Sequence, residues 1–127
     1  MTTRILIVDD SRVTREVTKV YLIARGVEIV EARNGEDALE LVRESKPDII
    51  VADLQMPKLD GAGLCRAMTG DSTLSMIPVI ILTSNADALS RSRCLEAGAR
   101  DVLSKPVQPG QLTAAINRQL GPRSPYR

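Results

Sequence analysis

Four charged side chains lie at positions where parallel strands would bring them together. Asp9 and Asp10 close one short apolar run, Asp53 closes a second, and Lys105 lies just past a third. At one sheet edge, carboxylates ~4 Å apart would repel by roughly 4 kcal/mol per pair at an effective dielectric constant of ~20. A bound divalent cation would relieve this repulsion, and oxygen ligands alone favour a hard ion such as Mg²⁺. These residues therefore predict a cation-dependent site for phosphoryl chemistry.

Short apolar runs alternate with helical patterns along the chain, and they predict the elements that would position this site. Five runs predict buried parallel strands, at residues 4–8, 28–31, 48–52, 79–83 and 101–104. Five strands alternating with five helices indicate βαβ units and a parallel sheet covered on both faces. In such a sheet a ligand site lies beyond the carboxyl ends of the strands, where the strand order switches.

The helical patterns predict which faces pack against the sheet. The first helix is predicted to be capped by Ser11, and its apolar face to comprise Val13, Val17, Val20, Tyr21 and Ala24. The fourth, at about residues 86–97, has a thin apolar face of Ala88, Leu89 and Leu95, and we expect it to be the most mobile helix. The fifth is predicted to pack through Leu112, Ala115, Ile116 and Leu120. We predict one domain over residues 1–120 and a flexible tail or linker stub at 121–127.

Composition excludes several classes of function. The net charge of +1 provides no field that would recruit nucleic acid. The chain has no His, Phe or Trp, so a His-based triad, a His metal site and stacking platforms for single strands are excluded. No apolar run is long enough for a membrane span and the start has no signal-peptide pattern, so we expect a cytoplasmic protein. Cys65 and Cys94 lack metal-binding spacing and are expected to be reduced, with Cys65 packed in a helix.

Each candidate residue taken alone has an ordinary structural explanation. Asp9 and Asp10 could cap the first helix, and Asp53 could belong to a turn. Lys105 alone would be a solvated lysine, and Thr83 alone a hydroxyl at a strand end. Their joint placement at one sheet edge favours the functional interpretation.

The full set of motifs resembles the receiver domain of two-component response regulators, over residues 4 to about 120. The motifs in order are Asp9-Asp10, Asp53-Leu54-Gln55-Met56-Pro57, Asp60-Gly61, Thr83-Ser84 and Lys105-Pro106. The resemblance implies a flavodoxin-like three-layer (βα)5 sandwich with strand order 2-1-3-4-5. It also implies a single-domain regulator of the kind found in chemotaxis.

The resemblance assigns a role to each site residue. Asp53 would be the phosphoacceptor, whose carboxylate forms an acyl phosphate. Mg²⁺ would be held by Asp9, Asp10, Asp53 and the backbone carbonyl of Gln55. Thr83 and Lys105 would each contact a phosphoryl oxygen, and Lys105-Pro106 lies where the family has a cis peptide. Gln55 and Asn85 lie where water could approach the acyl phosphate, although both could equally be solvated loop residues.

One position departs from the family pattern. The receiver switch usually pairs the hydroxyl residue with an aromatic ring three residues before the lysine, but here that position is Val102, and Val107 lies where Phe is frequent. The expected output face comprises the fourth helix, fifth strand and fifth helix. Arg91, Arg93 and Arg100 lie on or near this face, where a solvated basic surface is the favoured explanation.

Three classes of function remain open. The first is a phosphorylation-activated switch that accepts phosphoryl from a sensor histidine kinase or a phosphotransfer protein and changes partner binding, as a monomer or a phosphorylation-dependent dimer. The second, motivated by Val102, is a scaffold that binds its partner regardless of phosphorylation. The third is an aspartyl phosphatase, which is disfavoured because Gln55 stands where that chemistry needs a second acid. We therefore expect no enzyme beyond self-phosphorylation and self-dephosphorylation, and no direct binding to nucleic acid or membrane.

Overall fold

The computed structural model describes residues 2–127, in which five strands alternate with five helices. The strands are β1 (Thr3–Val8), β2 (Val27–Ala32), β3 (Ile49–Asp53), β4 (Val79–Thr83) and β5 (Asp101–Ser104). The helices are α1 (Arg12–Leu22), α2 (Gly35–Ser45), α3 (Gly61–Thr69), α4 (Ala88–Ala97) and α5 (Pro109–Leu120), followed by a short 3-10 turn at Gly121–Arg123. The predicted strands are confirmed, with ends that differ by at most one residue.

The five strands form one parallel sheet in the order β2-β1-β3-β4-β5, which confirms the predicted fold. The register pairs Val8 with Ala52, and Asp53 with Leu82, so the carboxyl ends of the three central strands lie level with one another. The chain moves to opposite sides of β1 when it forms β2 and β3, which is the switch in strand order. The residues that follow these strands therefore meet at one edge.

Alternate residues of the central strands pack against two separate helical layers. In β1, Leu6 and Val8 belong to the core beneath α2, α3 and α4, whereas Ile5 and Ile7 belong to the core beneath α1 and α5. All four side chains are buried, and burial of each contributes about 1.5–3 kcal/mol. The sheet that carries the site is thus fixed from both faces.

The apolar face predicted for α1 is wrong. Val13 and Val20 are exposed, at 74% and 67% of their surface, whereas Thr18 and Leu22 are the buried residues of this helix. Thr18 tolerates burial because its hydroxyl donates to the Thr14 carbonyl at 2.9 Å. The period-3.6 pattern correctly indicated a helix, but the apolar stripe faces outward instead of toward the sheet.

Apolar faces were also predicted for α4 and α5, and only that of α5 packs as predicted. Leu89 and Leu95 of α4 are exposed, and its buried residues are Cys94 and Ala97, so the predicted face is wrong there too. The predicted face of α5 is confirmed, since its four apolar residues are all buried. Cys65 is buried in α3 as predicted, and burial raises the pKa of its thiol to about 12.

The segment at 121–127 packs against the domain. Ser124 is buried, and Tyr126 contacts the core beneath α1 and α5. The Tyr126 hydroxyl donates to the Leu22 carbonyl, at the end of α1, at 2.7 Å. The mobility of this tail and a boundary at residue 120 stay predictions, but the tail has a defined docking position. No helix in residues 2–127 has the length and apolar character needed to cross a membrane.

Candidate functional site

The first two carboxylates lie in the turn between β1 and α1. Asp9 is 4% exposed; its amide donates to the Ala32 carbonyl at 3.1 Å, and its Oδ1 accepts the Ser11 amide at 2.9 Å. Ser11 itself caps α1, because its hydroxyl accepts the Thr14 amide at 3.2 Å. The cap explanation for the acidic pair therefore does not hold for Asp10, which is exposed and leaves its carboxylate available.

The third carboxylate, Asp53, is the last residue of β3. The next amide, that of Leu54, donates to the Leu82 carbonyl at 3.0 Å, which ties this strand end to β4. Gly61 begins α3 directly against it, since a Cβ at Gly61 would lie 2.6 Å from the Asp53 carbonyl oxygen. Gly61 is buried in the first turn of α3, where its lack of a side chain permits this close approach.

Lys105 joins two of the three carboxylates. Its Nζ lies 3.1 Å from Asp9 Oδ2 and 3.2 Å from Asp53 Oδ1. Its backbone amide donates to the Thr83 carbonyl at 2.8 Å, and the peptide bond to Pro106 is cis. The lysine predicted to belong to the site is therefore held in it by both its side chain and its backbone.

The charges of the site shift the pKa values of two of its members. Burial raises the pKa of Asp53, and the charges of Asp9 and Asp10 add to this effect, while Lys105 opposes it. Burial alone would lower the pKa of Lys105, but the charges of Asp53 and Asp9 outweigh burial and raise it. Lys105 thus stays charged, and the site carries more negative charge than this one cation balances.

The remaining predicted residues follow the same strand ends. Thr83 is the buried last residue of β4, and its hydroxyl oxygen accepts the Asn85 amide at 3.1 Å. Gln55 is exposed, two residues beyond Asp53, and lines a cleft of about 570 Å³ between α3 and α4. The structure brings Asp9, Asp53 and Lys105 into direct contact, whereas the roles of Thr83 and of the Gln55 carbonyl stay predictions.

The three carboxylates could hold a metal ion. One oxygen from each of Asp9, Asp10 and Asp53 lies within 4.8 Å of the other two. In an octahedral Mg²⁺ site each ligand lies about 2.1 Å from the ion, so adjacent ligand atoms are about 3.0 Å apart and opposite ones about 4.2 Å apart. The three carboxylates therefore supply a donor set that suits a hard divalent cation, which would draw their oxygens closer together.

The residue three positions before Lys105 is buried and accepts a hydrogen bond from an arginine of α4. Val102 is buried in β5, and the Arg91 guanidinium of α4 donates to its backbone carbonyl at 2.6 Å. Arg91 is thus not the freely solvated residue that the sequence favoured. A hydrogen bond from side chain to backbone therefore joins α4 and β5 at Val102.

Sequence reasoning missed a partly buried ion pair beneath the acidic turn. Arg15 of α1 donates to the Asp9 carbonyl at 2.7 Å and pairs with Glu31 of β2 at 3.1 Å. Burial would raise the pKa of Glu31, but hydrogen bonds from Lys19 and Arg15 lower it. The available signal was the placement of Glu31 near the carboxyl end of β2, level with the acidic pair.

An apolar groove borders the site. Its volume is about 380 Å³, and it lies between α1 and the loop that follows β5. Val13, Val17 and Tyr21 line one side, and Pro106 and Val107 line the other, next to Lys105. The outward-facing stripe of α1 thus continues up to the charged cluster.

Comparison with known proteins agrees with this geometry. The family described as "Response regulator receiver domain" matches residues 5–117. The probable transcriptional regulator ycf27 of Guillardia theta is 39% identical over 117 residues, which is 92% of this chain and 45% of that protein. This chain spans about half the length of the curated relatives it matches.

Solved structures show the same fold. The receiver domain of a signal transduction histidine kinase from Syntrophus aciditrophicus superposes with a TM-score of 0.87 at 37% identity, covering 96% of this chain and 94% of that one. The chemotaxis response regulator CheY4 of Vibrio cholerae gives 0.87 at 28% identity, covering 94% of this chain and all of that one. Fold, acidic site and family match agree: this chain belongs to the family of response regulator receiver domains.

Proposed function

We propose that this receiver domain is a phosphorylation-activated switch in which Asp53 accepts a phosphoryl group from a histidine kinase or a phosphotransfer protein. The observation that carries this proposal is the placement of Lys105 between Asp9 and Asp53, with Asp10 completing the acidic cluster. Membership of the receiver family supports a role in two-component signalling. The identity of the acceptor and the dependence on Mg²⁺ are the parts that require a test.

The chemistry follows from the groups at the strand ends. An Asp53 carboxylate oxygen forms a bond to phosphorus while the bond from phosphorus to the donor's imidazole nitrogen breaks, and that nitrogen keeps the electron pair and takes up a proton. Mg²⁺, held by Asp9, Asp10, Asp53 and the Gln55 carbonyl, would neutralise charge on the phosphoryl oxygens. Lys105 pairs with another of these oxygens once Asp53 is modified, and the Thr83 hydroxyl donates to a third.

The phosphoryl donor docks on the apolar groove beside Lys105. A donor that transfers its phosphoryl group directly must bring the imidazole within reach of Asp53, so its contact surface has to border the site. The outward-facing Val13 and Val17 of α1 lead to this point, and such a patch on an exposed helix indicates a protein contact.

The output partner binds the face formed by α4, β5 and α5, and the domain performs no turnover beyond its own phosphorylation and dephosphorylation.

The second candidate function is a scaffold that binds its partner equally well with and without phosphorylation, and Val102 is the observation that favours it. A phosphoryl group changes partner affinity only if it interacts differently with the two conformations. Equal affinity of a partner for the free and phosphorylated forms would select the scaffold.

Intact mass spectrometry after incubation with acetyl phosphate tests the acceptor chemistry. We expect a gain of one phosphoryl group in the presence of Mg²⁺, none in its absence, and none in Asp53→Asn. Asp60→Asn is the matched control, because Asp60 lies near the site but caps α3 by accepting the Gly63 amide at 2.7 Å, which asparagine can also do. Modification that persists in Asp53→Asn, or none in the parent protein with any donor, would refute the proposal.

A further inference from the structure

We propose that Arg15 is a positioning residue for the metal site, which it serves by holding the Asp9–Asp10 peptide from beneath. This inference rests on the proposed function, since it concerns the affinity of the acidic cluster for Mg²⁺. Arg15 touches neither the acceptor nor the phosphoryl group in this role. It acts through the backbone of the turn.

The Asp9 carbonyl accepts a hydrogen bond from a side chain of α1. The Asp9 amide still belongs to the sheet edge, because it donates to the Ala32 carbonyl at 3.1 Å. Its carbonyl oxygen instead accepts the Arg15 Nη1 at 2.7 Å. Both ends of Asp9 are therefore fixed, one by the sheet and one by this guanidinium.

Fixing this carbonyl fixes the direction of Asp10. The carbonyl belongs to the peptide that joins Asp9 to Asp10, so a rotation of this peptide would move the Asp10 carboxylate. Asp10 is exposed, and among residues 2–127 no donor is found hydrogen-bonded to its carboxylate. The backbone therefore sets the direction in which the Asp10 side chain leaves the turn, toward a position within 4.8 Å of Asp53.

Glu31 holds Arg15 in the required orientation. The Arg15 side chain is only 11% exposed, and its Nε lies 3.1 Å from Glu31 Oε1. The other Glu31 oxygen accepts Lys19 Nζ at 3.1 Å, so the carboxylate is anchored to α1 twice. A planar guanidinium can serve Glu31 and the Asp9 carbonyl together, which a single ammonium cannot do with the same geometry.

Positioning and simple electrostatics predict opposite results when the Arg15 charge is removed. Removing a cation near three carboxylates should strengthen Mg²⁺ binding if only charge matters. Loss of a group that orients metal ligands instead weakens metal binding, typically by 10- to 100-fold. The sign of the change therefore decides between the two.

Isothermal titration of the metal-free protein with Mg²⁺, without any phosphoryl donor, provides the test. We expect the dissociation constant to rise about tenfold in Arg15→Met. Arg15→Lys should also bind more weakly, although charge alone predicts no change there, so this variant keeps the test decisive if Arg15→Met fails to fold. Equal or tighter binding in these variants would overturn the inference.

Arg4→Met is the matched control. Arg4 pairs with Glu28 of β2 and donates to the Ser45 carbonyl, so it resembles Arg15 in charge and partners but lies at the opposite end of β1. Its Mg²⁺ affinity should stay within twofold of the parent protein, and a tenfold loss here would also overturn the inference. If the parent protein binds no Mg²⁺, the metal step of the proposed function fails together with this inference. If the parent binds Mg²⁺ and the Arg15 variants match it, only this inference fails.

Discussion

Replacing Asp53 by asparagine should stabilise the metal-free protein, although it removes the proposed phosphoacceptor. The carboxylate is held near two others, and burial together with their charges raises its pKa above the ordinary value of 3.8. Asparagine keeps the shape of the side chain and removes its charge. The change therefore isolates the electrostatic strain of the unliganded site.

Coulomb's law gives the size of the effect. The carboxylate oxygens lie within 4.8 Å of one another, so at an effective dielectric constant of ~20 repulsion of Asp53 by Asp9 and by Asp10 costs at least about 3.5 kcal/mol each. Attraction between Asp53 and Lys105 at 3.2 Å offsets about 5 kcal/mol of this repulsion. The net electrostatic cost of the ionised Asp53 is then about 2 kcal/mol. Solvent around the exposed Asp10 reduces its share, so we expect asparagine to add about 1–2 kcal/mol to the free energy of unfolding. For a domain of this size the melting temperature should rise by roughly 3–8 °C.

Thermal unfolding followed by far-ultraviolet circular dichroism at neutral pH, with and without Mg²⁺, measures this change. Mg²⁺ should stabilise the parent protein more than Asp53→Asn, because the ion relieves the same repulsion. The folded protein binds the Asp53 proton more tightly than the unfolded chain, so the advantage of asparagine should develop as pH rises through the raised pKa and vanish below about pH 3.8.

A matched exchange elsewhere separates the site from a general effect of asparagine. Asp71 accepts hydrogen bonds from the hydroxyl and amide of Thr73, which lower its pKa, so Asp71→Asn should give no gain in stability. A melting temperature of Asp53→Asn at or below that of the parent, in the absence of metal, would refute the proposed strain.

Three further changes have defined outcomes. Lys105→Met leaves the carboxylates without their cation, so it should lower the free energy of unfolding by about 2 kcal/mol in chemical denaturation. For the same reason it should tighten Mg²⁺ binding in calorimetry, and an unchanged Mg²⁺ affinity would contradict this. Gly35→Ala should lower the free energy of unfolding by about 1–3 kcal/mol, because the new Cβ would lie 2.3 Å from the Leu59 carbonyl oxygen. A melting temperature equal to that of the parent protein would show that the loop around Leu59 moves aside without cost. Tyr126→Phe removes the hydrogen bond to the Leu22 carbonyl and should lower the free energy of unfolding by about 1 kcal/mol in chemical denaturation. An unchanged free energy of unfolding would show that the tail is not docked.

The sequence predicted the site well because strand ends in a parallel sheet have little freedom. Once Asp9 and Asp53 close neighbouring strands, the ladder that pairs Val8 with Ala52 sets them level. Lys105 reaches them because β5 follows β4 in the order of the sheet. The contact of Lys105 with both carboxylates was therefore implied by the order of motifs along the chain.

Side-chain periodicity was a poorer guide to packing. The stripe of Val13, Val17 and Val20 has the spacing of a buried face, yet it is exposed, while Thr18 is buried by satisfying its own hydroxyl. Periodicity identifies an apolar stripe on a helix but does not indicate whether that stripe faces the sheet or the solvent. Contacts across the fold, such as Arg15 to Asp9, have no local signal because they depend on exact side-chain geometry.

The docked tail gives the molecule an optical reporter. The chain contains no Trp and only two Tyr residues, so its near-ultraviolet absorption comes from Tyr21 and Tyr126. Burial raises the pKa of Tyr126 to about 12, from an ordinary value of 10.0. A fall in the pKa of Tyr126 toward this ordinary value would show that the tail has been released from the end of α1. The absorption of unlabelled protein in alkaline solution can therefore follow the docking of the last residues of the chain.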